Sequence, residues 1–170
     1  MIDLVNYIYQ IMRIEAFLRE SPMFTVKRAA RHFDAVAAEA FAVDNLGFME
    51  GLALAAIFFE APRPIKPSHL AETFATTRGN VSHAISSLEA KGLVQRKIDP
   101  SDARGYLLTL KPHGKRCALR VIAAFDRMQR GFEHKVGGTA LRNALEVIRT
   151  LESCKIVFSY SKPSSGFPTW

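Results

Sequence analysis

Cysteine is scarce in this sequence. Only Cys117 and Cys154 occur among its 170 residues, and no C-x-x-C pair is present. The disulfide framework of a small secreted protein needs more cysteines at closer spacing. We therefore predict two thiols buried on apolar helix faces, with a redox-sensing role as the alternative.

The N-terminus lacks a long uninterrupted hydrophobic run. Polar residues break up its apolar stretches, at Asp3, Asn6, Gln10 and Arg13. A signal peptide or a membrane span would need a continuous apolar segment. We therefore expect a cytoplasmic protein with no membrane partner.

Signatures of catalysis and of metal binding are also missing. The sequence contains no G-x-S-x-G, GxGxxG or phosphate-loop motif, and Arg78-Gly79-Asn80 is not followed by G-K-[ST]. Its five histidines form no H-x-x-x-H or H-E-x-x-H pair: His32, His69, His83, His113 and His134. We expect no enzymatic activity, no metal site and no cofactor.

Acidic residues are few in the middle of the chain. The composition as a whole, 48% hydrophobic and 23% charged, is that of a globular protein with a formal net charge of +7. Residues 1–60 carry a net charge of −3, residues 61–116 of +6 and residues 117–170 of +4. The positive field therefore centres on residues 61–116, which favours a polyanionic partner.

The segment from Ala75 to Leu110 has the clearest local pattern. Its helix carries one apolar face at helical spacing: Val81, Ala84, Ile85 and Leu88. The other face is small or hydrogen-bonding and has no acid: Arg78, Gly79, Asn80, Ser82, His83 and Ser86. The pair Thr76-Thr77 is typical of a helix start, and Gly92 after Lys91 is typical of a helix end.

A basic hairpin follows this helix. We predict a strand from Leu93 to Ile98, a turn at Asp99-Pro100-Ser101-Asp102, and a second strand from Tyr106 to Leu110. A polar-faced helix followed by such a hairpin is typical of a recognition helix and its wing. We therefore predict a DNA-binding segment.

Helical patterns occupy most of the remaining chain. We predict helices over residues 2–20, Thr25–Asn45, Met49–Glu60, Pro67–Phe74, Pro112–Lys135 and Ala140–Cys154, the last capped by Thr139. The helix from Pro67, a turn at Ala75-Thr76 and the helix Thr77–Lys91 make a helix-turn-helix. The apolar faces of the first two helices must be buried. They pack either against a second copy of the chain or against their own core.

These elements define a fold class. We predict a mainly α fold with a small β-wing, in which a winged helix-turn-helix is flanked by N- and C-terminal dimerisation helices. The predicted boundaries are N-terminal helices in 1–47, the winged helix-turn-helix in 48–111, C-terminal helices in 112–157 and an irregular tail in 158–170.

Several spaced motifs resemble the MarR family. They are Pro67-Ser68-His69-Leu70-Ala71, Thr77-Arg78-x-x-Val81-Ser82, Leu88-Glu89-x-Lys91-Gly92-Leu93-Val94, Asp99-Pro100-x-Asp102-x-Arg104, and Leu108-Thr109-Leu110 with Gly114. MarR proteins are bacterial winged-helix transcriptional regulators that act as homodimers. The match is good over residues 48–116, and several elements in register are more specific than any one of them.

The resemblance implies a role in DNA binding for eight residues. The helix Thr77–Lys91 would lie in the major groove, and Arg104 would enter the minor groove with Asp102 orienting its guanidinium. The residues implied in this way are Thr77, Gly79, Asn80, Ser82, His83, Ser86, Asp102 and Arg104. We predict five further DNA-binding residues, which brings the total to thirteen: Arg78, Arg96, Lys97, Lys66 and Lys111.

The sequence departs from the family pattern at three of these positions. Lys66 and Lys111 occupy helix starts where the family often has Ser or Thr, and we predict that both approach phosphates. At His83 the family often has Arg, so a base contact there would depend on pH.

Two questions stay open at this stage. Aromatic residues could line a pocket for a small aromatic effector, or could be plain core: Phe48, Phe58, Phe59, Tyr7, Tyr9, Phe17 and Phe125. The sequence favours a homodimeric regulator, a repressor, of a pseudo-palindromic operator. The alternative is a non-specific architectural DNA-binding protein or a protein-interaction module.

Overall fold

The structure, a computed structural model, describes residues 14–154, apart from the side chains of residues 103 and 104. It divides into two compact units, one up to Arg127 and one from Met128. The elements of the chain are helices α1 (Ile14–Glu20), α2 (Pro22–Ala40), α3 (Phe48–Glu60), α4 (Pro67–Thr73) and α5 (Arg78–Ala90), strands β1 (Val94–Asp99) and β2 (Asp102–Leu110), and helices α6 (Pro112–Val136) and α7 (Gly138–Ser153). The mainly helical fold with a two-stranded wing confirms the predicted class.

Helix α2 differs from its predicted bounds at both ends. It begins at Pro22, not Thr25, because Ser21 caps it: the Phe24 amide donates to Ser21 Oγ at 3.3 Å. A serine followed by proline is a favourable helix start. The helix ends at Ala40, before a 3-10 turn over Ala42–Asp44. Of the helix predicted over residues 2–20, only the part from Ile14 falls within the described residues.

The helix-turn-helix is built on a compact apolar core. The predicted inner face of α5 is buried, and with it α3 and α4 contribute side chains that are fully enclosed: Leu54, Leu70, Val81, Ile85 and Leu88. Between α4 and α5 the backbone turns at Ala75, whose φ of 47° is unusual for a residue with a side chain. The amide of Thr76 donates to Ala71 O at 3.0 Å and closes this turn.

The wing is an antiparallel pair. Its ladder runs from Val94 opposite Leu110 to Asp99 opposite Asp102, with a register shift at Ile98 and Asp99. The second strand therefore begins at Asp102, four residues earlier than predicted. The segment before α4 joins the same sheet, since the Leu108 amide donates to Ile65 O at 2.8 Å.

Helix α6 packs with a different face from the one its large apolar residues suggest. Leu119, which its size and hydrophobicity predict to lie on the buried face of this helix, is 54% exposed. The buried positions carry small side chains instead: Gly114, Cys117, Ala118, Val121 and Ala124. Gly114 is required there, because a Cβ would lie 1.9 Å from Leu93 O at the base of the wing. Close approach of two backbones favours small residues over large ones.

Helix α7 starts two residues earlier than predicted, at Gly138. Its N-cap is Gly137, with a φ of 83°, and not Thr139, whose hydroxyl instead accepts from Arg142 Nη2 at 3.2 Å. Cys154 at its end is exposed, so the predicted burial of this thiol is wrong. The tail predicted over Ser159–Trp170 lies outside the described residues. Along residues 14–154, no helix combines the length and apolar character that crossing a membrane requires.

Candidate nucleic-acid interface

The outer face of α5 is the centre of the candidate site. Thr77 is its N-cap and accepts from the Asn80 amide at 3.2 Å through Oγ1. Gly92, with a φ of 69°, ends the helix as the sequence predicts. All six residues predicted on the outer face are exposed: Arg78, Gly79, Asn80, Ser82, His83 and Ser86.

Asn80 is oriented by the turn that precedes α5. Its Nδ2 donates to Thr76 Oγ1 at 3.1 Å. This contact uses one of the two amide protons and leaves the side chain at the exposed N-terminal turn of the helix. The arrangement places an amide with both donor and acceptor capacity at the start of the outer face.

Arg96 links the wing to the recognition helix. Its Nη1 lies 3.2 Å from Glu89 Oε2, its Nη2 donates to Ser86 Oγ at 3.1 Å, and its amide donates to Glu89 Oε1 at 3.3 Å. The predicted site residues Ser86 and Arg96 are thus brought together. Glu89 was missed by the sequence analysis, because nothing in the sequence pairs a helix residue with a strand residue seven positions later.

Lys66, which the sequence predicts to approach a phosphate, forms an ion pair with the wing. Its Nζ lies 2.7 Å from Asp99 Oδ2 and 3.9 Å from Asp102 Oδ2. Ser101 donates to Asp99 Oδ1 from its amide at 2.9 Å and from its hydroxyl at 2.6 Å. The ammonium of Lys66 and the Ser101 donors hold the pKa of Asp99 at about 2, so this carboxylate is charged at neutral pH.

A small cavity lies between α4, α5 and the wing. Its volume is about 270 Å³. Two arginines and three hydroxyl-bearing residues are among the residues that line it: Pro67, Ser68, Arg78, Ser82, Ile85, Arg96 and Tyr106. Guanidinium and hydroxyl groups around one cavity are the donors that a phosphate oxygen requires. Tyr106, half-exposed on β2, was not among the predicted site residues.

The remaining predicted residues lie around this face. Lys97 is exposed on β1, Asp102 is exposed at the start of β2, and Lys111 is half-buried where β2 meets α6. Arg104 lies on β2, two residues after Asp102, and its side chain is outside the described part of the chain.

Lys91 anchors the far end of α5. Its Nζ donates to Glu50 Oε1 at 2.7 Å and to Asn45 O at 2.6 Å. Burial of Glu50 opposes its ionisation, but hydrogen bonds from Lys91, Ser87 and the Gly47 amide outweigh burial and hold its pKa below the ordinary value. A cleft of about 790 Å³ opens beside this pair, lined by Asn80 and His83 of α5 and by residues at the joint of α2 and α3.

The predicted aromatic cluster is only partly assembled. Phe125 packs edge-on against Phe41 and Phe48, at ring-centroid distances of 5.2 and 6.0 Å. Phe58 and Phe59 contact each other, and Phe59 is 69% exposed. Tyr7 and Tyr9 lie outside the described residues.

The two cysteines differ in environment. Cys117 is fully buried, and burial together with the nearby Asp44 carboxylate raises its pKa to about 11. Asp44 itself is paired with Arg120, whose Nε donates to Asp44 Oδ2 at 3.0 Å.

Within residues 14–154, histidine, cysteine and acidic side chains form no cluster of three that could hold a metal ion.

Comparison with known proteins supports the sequence resemblance. The model of the MarR family matches residues 45–105. A comparison with the curated proteins finds no match to this sequence.

Solved structures share the fold at low sequence identity. The S. aureus MepR–DNA complex is 16% identical, with a TM-score of 0.72 over 79% of this chain and 98% of that chain. PcaV from Streptomyces coelicolor, in complex with its natural ligand, is 20% identical, with a TM-score of 0.70 over 79% and 94%.

A third neighbour is the M. tuberculosis regulator MosR in complex with DNA. It is 21% identical, with a TM-score of 0.65 over 81% of this chain and 100% of that chain. The family match and the fold agree on the same helices and wing. Residues 45–105 of this chain are therefore similar to the MarR family, and the chain shares its fold with these three structures.

Proposed function

We propose that this chain is a DNA-binding transcription regulator that places α5 in the major groove and the wing along the minor groove. The observation that carries the proposal is the outer face of α5, which is exposed and has no acidic side chain from Arg78 to Ser86. Such a face can approach phosphates without charge repulsion. MepR and MosR, two proteins of the same fold, were crystallised with DNA.

Nine of the thirteen predicted residues have a role in this part of the proposal. Asn80 reads adenine, because an amide can donate and accept at one edge of that base. Thr77, Arg78, Ser82 and Lys111 contact phosphates, and His83 contacts bases. Arg104 enters the minor groove, oriented by Asp102, and Lys97 adds positive charge beside it.

The testing experiment is a competition between promoter DNA and random duplex. We expect the protein to bind a sequence upstream of its own gene at least about a thousandfold more tightly than random DNA. The variant Asn80→Ala should relax the preference at one base pair, by about 1–3 kcal/mol. A specificity ratio near one would reject the regulator and favour the non-specific architectural protein.

The regulator acts as a homodimer in this proposal. Apolar side chains on the described protomer are exposed along α1 and α2, at Ile14, Phe17, Met23, Val26 and Phe33, and along α7, at Leu145, Val147, Ile148 and Leu151. Exposed apolar stripes of this extent are typical of interfaces. A dimer sets two recognition helices about 34 Å apart, which requires a pseudo-palindromic operator.

The dimer is tested by light scattering on the purified protein. We expect twice the mass of the chain for the wild type and a monomer for Ile148→Glu. Asn143→Glu, on the same helix but outside the apolar stripe, should remain dimeric. A monomeric wild type would reject this part of the proposal.

In this proposal a small aromatic effector releases the protein from DNA and so relieves repression. One structural feature supports this role. The cleft beside Lys91 is lined by Asn80 and His83 of the outer face and by the apolar side chains of Leu46 and Met49. A molecule held there would contact two residues that DNA also needs. A panel of aromatic carboxylates should therefore include a compound that weakens the DNA complex, and loss of this response in His83→Ala would place it in the cleft.

A further inference from the structure

Lys66 connects the start of α4 to the tip of the wing. It is the N-cap residue of α4 and makes no capping hydrogen bond with its side chain. Its ammonium instead contacts Asp99 Oδ2 at 2.7 Å and lies 3.9 Å from Asp102 Oδ2. One cation thus faces carboxylates on both sides of the wing turn.

The burial of the Asp99 carboxylate is unusual for a charged group. It is only 4% exposed, although it lies beside the turn of an exposed hairpin. A buried carboxylate is costly unless its oxygens are paired, and removing the partner of a buried ion leaves an uncompensated charge. Ser101 satisfies Oδ1 and Lys66 faces Oδ2. The conformation of the wing turn therefore depends on Lys66.

The pair lies at the end of the wing ladder. Asp99 opposite Asp102 is the last rung of the ladder, directly after the register shift. The bond from the Leu108 amide to Ile65 O fixes the base of the wing to the same segment before α4. Lys66 adds a second attachment at the tip, through Asp99 and Asp102. Asp102 precedes Arg104 by two residues.

We propose that Lys66 and Asp99 are positioning residues for DNA binding, whose ion pair fixes the wing tip so that Arg104 reaches the minor groove. The inference rests on the proposed function. It replaces the prediction that Lys66 contacts a phosphate, since its charge is already engaged by Asp99. The two roles make opposite predictions for one variant.

The discriminating variant is Asp99→Asn. Removal of a negative charge from a DNA-binding surface should strengthen binding if Lys66 is a phosphate contact, because the ammonium is set free. If the ion pair positions the wing, the same change should weaken binding. Asn keeps the size of the side chain, so packing changes little.

The experiment measures operator affinity for Asp99→Asn in the wild-type and in the Arg104→Ala background. We expect about tenfold weaker binding in the first, and a change of less than about twofold in the second, because the pair acts only through Arg104. Hydroxyl-radical footprinting should show lost protection in the minor groove at the wing and unchanged protection at α5. Asp34→Asn, an exposed Asp on α2, is the matched control and should leave affinity unchanged.

Each outcome has one meaning. Equal or tighter binding by Asp99→Asn overturns the inference, and so does an equal loss in both backgrounds, which would indicate general unfolding. The variant Lys66→Met is an independent test of the pair. It should also weaken operator binding in the wild-type background and have little effect in the Arg104→Ala background. A wild type without preference for its operator would instead reject the proposed function.

Discussion

Arg96 and Glu89 form an ion pair, 3.2 Å between Nη1 and Oε2, that joins the first wing strand to the recognition helix. Ser86 strengthens the junction by accepting from the same guanidinium. Because both partners are partly exposed, the pair adds little to stability by itself. Its effect is geometric: it holds the first wing strand at a fixed position relative to α5.

Arg78 should behave as a phosphate contact. It is exposed at the first turn of α5 and lines the cavity between α4, α5 and the wing. Arg78→Ala should weaken binding to all sequences and reduce the slope of log K against log salt by about one unit, because one fewer counterion is released. Arg149→Ala on α7 is the control and should leave the slope unchanged. An unchanged slope in Arg78→Ala would contradict this role.

Gly114 should be intolerant of any side chain. An added Cβ would lie 1.9 Å from Leu93 O, so the first turn of α6 would have to move off the wing. We expect Gly114→Ala to lower the free energy of unfolding by about 3 kcal/mol or more in urea titrations.

Gly131 on the same helix gives the matched control for this measurement. A Cβ there meets no atom within 4 Å. Gly131→Ala should therefore raise the free energy of unfolding by about 0.5–1 kcal/mol, through helix propensity alone. If both substitutions stabilised the protein, the close contact at Gly114 would be wrong.

The two thiols should differ in reactivity. With a pKa of about 11 and no exposure, Cys117 is protonated at neutral pH and shielded from reagents. Iodoacetamide on the native protein should label Cys154, which is exposed, and spare Cys117. Mass spectrometry of tryptic peptides reads out both sites, and the urea-unfolded protein should be labelled at both. Rapid labelling of Cys117 in the native state would contradict its burial.

Acid should remove the contribution of Asp99 to stability. Its pKa is lowered from 3.8 to about 2 by Lys66 and Ser101, so the folded state favours the ionised form. This contribution is fully present above pH 3.8 and is lost as the pH falls toward about 2. The difference in unfolding free energy between wild type and Asp99→Asn should therefore be constant from about pH 7 to pH 5 and shrink below pH 4. A difference that persists to pH 2 would show that the carboxylate charge does not matter.

Local signals in the sequence were sufficient to predict the recognition helix. The spacing of Val81, Ile85 and Leu88 sets its buried face, and Thr77 and Gly92 mark its ends through their own backbone and side-chain chemistry. These causes act within a few residues, so they can be read without the fold.

Contacts between distant segments were not predictable in the same way. Lys66 and Asp99 are both charged residues in polar stretches, and only the sheet contact at Ile65 brings them together. The buried face of α6 was also not predicted. The size of Leu119 favoured a buried face that contains this residue. The first turn of the helix instead approaches Leu93 O, so that the buried face contains Gly114 and Leu119 is exposed. Tertiary packing outweighs local hydrophobicity at such positions.

Helix α5 is attached mainly through side chains that lie outside its outer surface, and Ser86 is the residue that the two share, through its hydrogen bond from Arg96. Val81, Ile85 and Leu88 bury it, and Lys91 fastens its end to Glu50, while Asn80 and Ser82 lie in solvent. Exposed substitutions of this kind change folding free energy by no more than about 0.5 kcal/mol. Under the proposed function, substitutions at outer residues such as Asn80 and Ser82 should therefore change the preferred DNA sequence, in evolution or by design, without destabilising the helix that carries them.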